Sequence, residues 1–142
     1  MIRELKKEDY YKGYFDLLAQ LTKICDNHTE EEFAEQVETI NQNKFHKIFV
    51  IECDDTIVGT LTCLIEPKFI RDMKSVCHIE DVVIDSQHRG KGLARLLLRH
   101  AKQFAAQNHC YKIILDCSED YLSFYEKNGY KRGGIQMEMR KK

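Results

Sequence analysis

The segment that most constrains this chain runs from His78 to Arg95. It begins His-Ile-Glu-Asp-Val-Val-Ile-Asp, passes through Ser-Gln-His, and continues as Arg89-Gly90-Lys91-Gly92-Leu93-Ala94-Arg95. An apolar strand therefore ends in a turn, and a loop with two glycines opens straight into a helix over Lys91 to Gln107. Leu93, Leu96, Leu97, Ala101 and Phe104 form the expected inward face of that helix. A second apolar run, Tyr111 to Cys117, follows it, so the two strands should be parallel neighbours joined by a crossover. The loop offers backbone N–H groups at a helix N-terminus, a geometry that holds phosphate or pyrophosphate. With Glu80 and Asp81 on the strand that feeds it, the arrangement points to a transferase using a phosphate-bearing carrier.

The rest of the chain supplies layers for that unit. Ile2 to Leu5 reads as a first strand, and Lys7 to Leu21 as a helix with Tyr11, Tyr14, Phe15, Leu18 and Leu21 at helical spacing. Thr29-Glu30-Glu31-Glu32 is a capping box that opens a helix carrying Phe33, Val37 and Ile40. A hairpin follows, Ile48 to Cys53 and Thr56 to Ile65 around Asp54-Asp55, closed by Pro67, which cannot donate to a ladder. Val76 to Ile84 is the central strand. The Val82-Val83-Ile84 and Ile113-Ile114-Leu115 runs suggest strands covered on both faces. Ser118 can cap a helix to Asn128 with Gly129 as its left-handed stop, and a final strand pair is expected over Tyr130 to Arg140. The sum is an α+β domain with a mixed, mostly antiparallel central sheet flanked by helices.

Composition narrows the function classes. A chain of 142 residues with one proline and no linker-like stretch reads as a single domain, residues 1–142, able to bury roughly two-thirds of its unfolded surface. A net charge of −1 provides no global field to recruit nucleic acid or an anionic membrane. The apolar runs are too short to span a bilayer, and the charged N-terminus lacks a signal-peptide core, so a cytoplasmic protein is expected. Cys53, Cys63, Cys77, Cys110 and Cys117 lie in or beside apolar runs without C-x-x-C or metal-ligand spacing. Buried free thiols and no metal are therefore expected.

The loop fits R/Q-x-x-G-x-G/A at Arg89, Gly92 and Ala94, and resembles the acyl-CoA-binding motif of the GCN5-related N-acetyltransferases (GNAT). It is neither a Walker loop nor a dinucleotide G-x-G-x-x-G. Acyl transfer to an amine needs a bound thioester, an unprotonated amine, donors for the oxyanion and a proton for the leaving thiolate. Backbone N–H groups near Val82 would face the thioester oxygen if the strand bulged there. A bulge, or a site spanning both faces, is also what a shared role for Glu80 and Asp81 requires. Asp116 ends an apolar strand, where a ligand ammonium, a lysine or capping N–H groups would each satisfy it. By spacing alone Tyr125 reads more readily as core filler than as a catalyst. Lys68, Arg71, Lys112 and Arg140 border the same elements and together suit a second phosphate.

Longer runs sharpen the resemblance. Leu64-Ile65-Glu66 with Lys68-Phe69-Ile70, then His78 to Val83, Cys110 to Cys117, Phe124 to Tyr130 and Gly134 to Arg140 look like the glucosamine 6-phosphate N-acetyltransferase branch. That resemblance implies a GNAT fold and acetyl transfer from acetyl-CoA to the 2-amino group of glucosamine 6-phosphate, a step toward UDP-N-acetylglucosamine. It also implies an intertwined homodimer with shared active sites. Val82, Val83 and Ile84 would bind pantetheine and thioester; Arg89, Gly90, Lys91, Gly92, Leu93, Ala94 and Arg95 would wrap the pyrophosphate. Glu80, Asp81 and Asp116 would position the sugar and its amine. Thr22, Lys68, Phe69, Ile70, Arg71, Tyr111, Lys112 and Arg140 would contact the sugar phosphate, and Tyr125 would protonate or stabilise the thiolate. Tyr121, Pro67 and Ala94 depart from the commoner family residues, none at a position assigned to chemistry. Competing readings are a GNAT acting on a protein N-terminus or polyamine, a coenzyme-binding module without turnover, and a nucleotide-binding domain.

Overall fold

The structure, a computed structural model, describes residues 2–25 and 27–141; the ends of the expected 1–142 domain, Met1 and Lys142, lie outside the described residues. Alternating and apolar runs form five strands: β1 (Ile2–Glu4), β2 (His46–Cys53), β3 (Thr56–Pro67), β4 (Ser75–Ile84) and β5 (Cys110–Ile114). They make one sheet in the order β1-β2-β3-β4-β5, antiparallel except for the β4–β5 pair. The hairpin between β2 and β3 turns on Asp54 and Asp55, both with positive φ (50° and 60°), the conformation that matches strand twist.

Helices cover both faces. Behind one lies α4 (Leu93–Gln107), whose buried Leu97, Leu98, Ala101 and Ala105 pack with Phe49, Ile51, Leu61, Ile79 and Ile84. Over the other lie α1 (Tyr14–Leu18) and α2 (Glu30–Asn41), packing Tyr14, Leu17, Phe33 and Val37 on Val50, Ile57 and Val83. At the start of α2 the Thr29 hydroxyl accepts from the Glu32 N–H at 3.1 Å, and the Glu32 carboxylate accepts from the Thr29 N–H at 2.8 Å. Gly59, opposite Ile84, admits no larger residue cheaply: a Cβ there would meet Ile84 Cδ1 at 2.8 Å.

Several expectations need correction. The helix expected over Lys7 to Leu21 is a 3-10 segment (Lys7–Lys12) and then α1, interrupted by Gly13 at φ 78°. Leu96 faces outward, because Leu97 and Leu98 take the buried stripe. Ile114 is exposed, since β5 is an edge strand covered on one face. The six cysteines are free, but only Cys63 and Cys77 are buried; Cys53, at the end of β2, and Cys117, past the end of β5, are exposed. The expected helix from Ser118 is a 3-10 turn (Glu119–Tyr121) leading into α5 (Leu122–Lys127).

The largest departure is at the C-terminus. Tyr130 to Lys141 forms no strand, although Ile135, Met137 and Met139 alternate with polar residues. They are 93 %, 91 % and 97 % exposed, and among the described residues the segment pairs with no strand of the sheet.

The most buried charge is Asp9, wholly inaccessible and held by Arg3 through Nη1 at 2.8 Å and Nη2 at 2.7 Å, with the Lys6 N–H at 3.0 Å. Arg3 also binds Glu52, which takes Lys12 on its other oxygen. Asp9→Ala strands the guanidinium and the Lys6 N–H, so a loss of about 3 kcal/mol is expected in urea denaturation.

Candidate active site

A register shift in the β3–β4 ladder shapes the site. Thr62 pairs with Glu80 and Thr60 with Val83, so Asp81 and Val82 together face Leu61 alone. Asp81 has φ 52°, a left-handed conformation costing a non-glycine residue about 1 kcal/mol, the kind of strain that collects at functional positions. The bulge breaks the strict alternation that would have sent Glu80 and Asp81 to opposite faces. Burial, followed by the charges of Asp81 and Asp116, pushes the Glu80 carboxyl up, with His78 opposing. Three carboxylates therefore share one field and suit a cationic ligand.

That upward displacement has a sign for stability. The folded state holds the Glu80 proton more tightly than the unfolded chain, so its contribution is most favourable at low pH and is lost as pH rises through the folded-state titration. Glu80→Gln is expected to melt above the parent at pH 7, with the gap closing on acidification through the carboxylate range. A scanning-fluorimetry pH series checks this.

Beside the bulge the sheet opens. The parallel ladder runs from Ser75↔Cys110 to His78↔Ile114 and stops, while β4 continues to Ile84 with ladder partners only in β3. Val83 and Ile84 direct their side chains into the two cores, which leaves backbone as what this stretch offers a ligand; Val82 is half-buried. Asp116 is exposed just beyond β5.

β4 then delivers the chain to the glycine loop. Gly90 and Gly92 both have φ 79°, and a Cβ built on either would meet nothing within 4 Å, so open space lies over both. Gly92 caps α4 without a side-chain partner, leaving its first-turn N–H groups available. Lys91 and Arg95 are exposed, Leu93 and Ala94 half-buried, and Arg89 Nε donates to the Ile84 carbonyl at 3.1 Å. Backbone donors, a helix dipole and basic side chains converge as an anion site should.

Tyr125 is buried on α5, packed edge-on against Phe124 and Tyr130 with centroids 5.2 and 5.8 Å apart. Burial, then the nearby Cys117 and Tyr121, raises its phenol above the ordinary value and keeps it a proton donor.

The cations expected around a sugar phosphate fall in separate local contacts. Lys68 Nζ lies 3.1 Å from Glu66, whose other oxygen is 2.9 Å from His78 Nε2. Arg71 and Lys112 sit over the Tyr111 ring at 5.5 and 5.7 Å. Arg71 belongs to α3 (Ile70–Met73), a turn in which Arg71, Asp72 and Met73 all have positive φ. Phe69 and Ile70 are exposed beside it. Thr22 is exposed past α1, its N–H bonded to the Leu18 carbonyl. Arg140 pairs with Glu138 and, among the described residues, with none of these groups. Glu66 and His78 are given no role by the sequence motifs, although His78 lies two residues before Glu80 on the same strand.

Comparison with known proteins agrees with this geometry. A family model described as the acetyltransferase (GNAT) family matches residues 2–130. A glucosamine 6-phosphate N-acetyltransferase of Arabidopsis thaliana is 41% identical over 139 residues, covering 96% of this chain and 93% of that protein. A Dictyostelium discoideum glucosamine 6-phosphate N-acetyltransferase is 37% identical over 138 residues, covering 95% and 87%. The crystal structure of the glucosamine-6-phosphate N-acetyltransferase from Arabidopsis thaliana superposes with a TM-score of 0.94 at 40% identity, over 99% of this chain and 97% of that one. Among the described residues no helix is long and apolar enough to cross a membrane.

Proposed function

Because this chain belongs to the GNAT acetyltransferase family, at 34–42% identity to glucosamine 6-phosphate N-acetyltransferases over most of its length, we propose that it transfers an acetyl group from acetyl-CoA to the 2-amino group of glucosamine 6-phosphate. The observation that carries this reading is the juxtaposition at the β4 bulge: a carboxylate cluster on one side and an uncapped, glycine-opened helix N-terminus on the other.

The donor side suits acetyl-CoA. The empty space over Gly90 and Gly92 admits a pyrophosphate against backbone N–H groups, with Arg89, Lys91 and Arg95 at its rim. The backbone of Val82 to Ile84, without a partner on its β5 side, can take an extended pantetheine arm as a strand takes its neighbour, with a Val82 N–H toward the thioester oxygen.

The acceptor side suits a zwitterion. Glu80, Asp81 and Asp116 attract the ammonium, while Lys68, Arg71, Tyr111, Lys112, Thr22 and Arg140 serve the phosphate, with Phe69 and Ile70 flanking them. The same carboxylates hold the ammonium proton, so an acceptor must remove it before the amine attacks. Direct transfer in a ternary complex then moves the acetyl group to nitrogen, while the thiolate leaves under a hydrogen bond from Tyr125. One proton leaves the amine and one is regained by the thiol.

The reading includes a homodimer. Ile135, Met137 and Met139 repeat at strand spacing on a segment without a strand partner, and β5 leaves a sheet edge open. A second copy would cover both, and would bring Arg140 to a neighbouring site. Arg140→Ala is expected to raise the KM for the sugar phosphate about tenfold with little change in kcat, as loss of a charge-assisted contact requires. Unchanged sugar kinetics would remove Arg140 from the site. Mass spectrometry tests the reaction: acetyl-CoA alone should leave the protein mass unaltered, and adding glucosamine 6-phosphate should yield the acetylated sugar. A stable acetyl-protein would overturn direct transfer.

A further inference from the structure

The β4–α4 connection is held in place from outside by one side chain. Asp85 follows β4 and caps Ser86 to His88, a 3-10 turn before the glycine loop. Asp85 Oδ2 accepts from the Gln87 N–H at 3.2 Å and is paired with His88 Nδ1 at 2.8 Å, so the turn is closed on itself. Its links to the rest of the fold are fewer. The Asp85 N–H donates to the Val58 carbonyl at 2.8 Å, continuing the ladder. Gln20, just beyond α1, does the rest: its Nε2 donates to Asp85 Oδ1 at 2.7 Å and its Oε1 accepts from the Ser86 N–H at 2.8 Å. Among the described residues no other side chain from outside Ile84 to Gly92 hydrogen-bonds to this segment.

We propose that Gln20 is a positioning residue for the coenzyme loop, its carboxamide clasping Asp85 and Ser86 so that the N–H groups of Gly90 to Arg95 are aimed before acetyl-CoA arrives. This rests on the reading of Arg89 to Arg95 as the coenzyme site. The backbone of Gln20 is itself fixed, its N–H donating to the Leu17 carbonyl at 3.0 Å in the tight turn that ends α1. The contact spans 65 residues of sequence and is reciprocal, so it sets an orientation as well as a distance. The two glycines downstream have left-handed backbones and no packing of their own to fix their direction. Misaiming a backbone clamp weakens every hydrogen bond it makes at once.

A charge exchange tests this. Gln20→Glu places a carboxylate against Asp85 Oδ1 and repels it; Asp85→Asn alone leaves the amide facing an unchanged glutamine. In the double variant the new asparagine amide donates to the new glutamate, while the asparagine oxygen keeps Gln87 and His88 and the glutamate keeps the Ser86 N–H. Each single variant is expected to raise the KM for acetyl-CoA about tenfold with kcat at saturation retained, and the double variant to recover most of that loss, as coupled contacts do. Melting temperatures within a few degrees of the parent separate misaiming from unfolding. An unchanged acetyl-CoA KM in Gln20→Glu, or a double variant as impaired as the two singles combined, would overturn the proposal. Normal acetyl-CoA binding by Gly92→Trp would instead overturn the coenzyme reading beneath it.

Discussion

Tryptophan in place of Gly92 is expected to abolish acetyl-CoA binding while leaving a folded protein. Gly92 sits at φ 79° as the first cap of α4, and its missing Cβ opens onto free space. The new Cβ therefore meets no neighbour, and the left-handed backbone costs about 1 kcal/mol. The indole occupies the volume through which a pyrophosphate must approach the N–H groups of the first helical turn. Losing two charge-assisted hydrogen bonds at about 1.5 kcal/mol each lowers affinity by about a hundredfold or more. Calorimetry with acetyl-CoA, beside a thermal melt, reads both halves of the expectation. Binding within a few-fold of the parent would place the coenzyme elsewhere.

Tyr125→Phe is expected to do the reverse: keep acetyl-CoA binding and lose turnover. The ring remains packed between Phe124 and Tyr130, so the fold and the pocket wall persist. What disappears is a buried hydroxyl whose pKa lies above the ordinary tyrosine value because of burial. The thiolate of an ordinary thiol, near pKa 8.5, is a weaker base than such a phenolate, so full proton transfer to the departing thiolate is about 2 kcal/mol uphill or more. Tyr125 is therefore expected to serve chiefly by hydrogen-bonding sulfur as its charge develops, a role worth about a hundredfold in kcat. Glu80→Ala is expected to lower turnover as well, by removing a carboxylate beside the bulge, again with acetyl-CoA affinity intact. A Tyr125→Phe enzyme with undiminished kcat would leave the phenol a packing residue.

The parts of this fold legible in the sequence are those settled by local chemistry. The Thr29 capping box, the Asp54-Asp55 turn, the Pro67 strand end and the strand–glycine loop–helix unit each carry their signal within a few residues. The C-terminal segment departs from its pattern because alternation of Ile135, Met137 and Met139 specifies a strand only when an edge receives it, and among the described residues this segment pairs with neither edge of the sheet. The site divides in the same way. Glu80, Asp81 and the glycine loop are visible as a motif, and the condition for their joint use, a bulge, could be named; the left-handed Asp81 that realises it carries no sequence mark. Gln20, Glu66 and His78 act through contacts between distant segments or across a strand pair, where no local pattern reports them.

The most direct test of substrate class is release of free thiol after mixing the purified chain with acetyl-CoA and glucosamine 6-phosphate, with unphosphorylated glucosamine alongside. A site split between carboxylates and a cationic wall should release thiol rapidly with the phosphorylated sugar and far more slowly with the other. Equal rates would contradict the role given to Lys68, Arg71, Lys112 and Arg140, and no release despite measurable acetyl-CoA binding would contradict the sugar phosphate as acceptor.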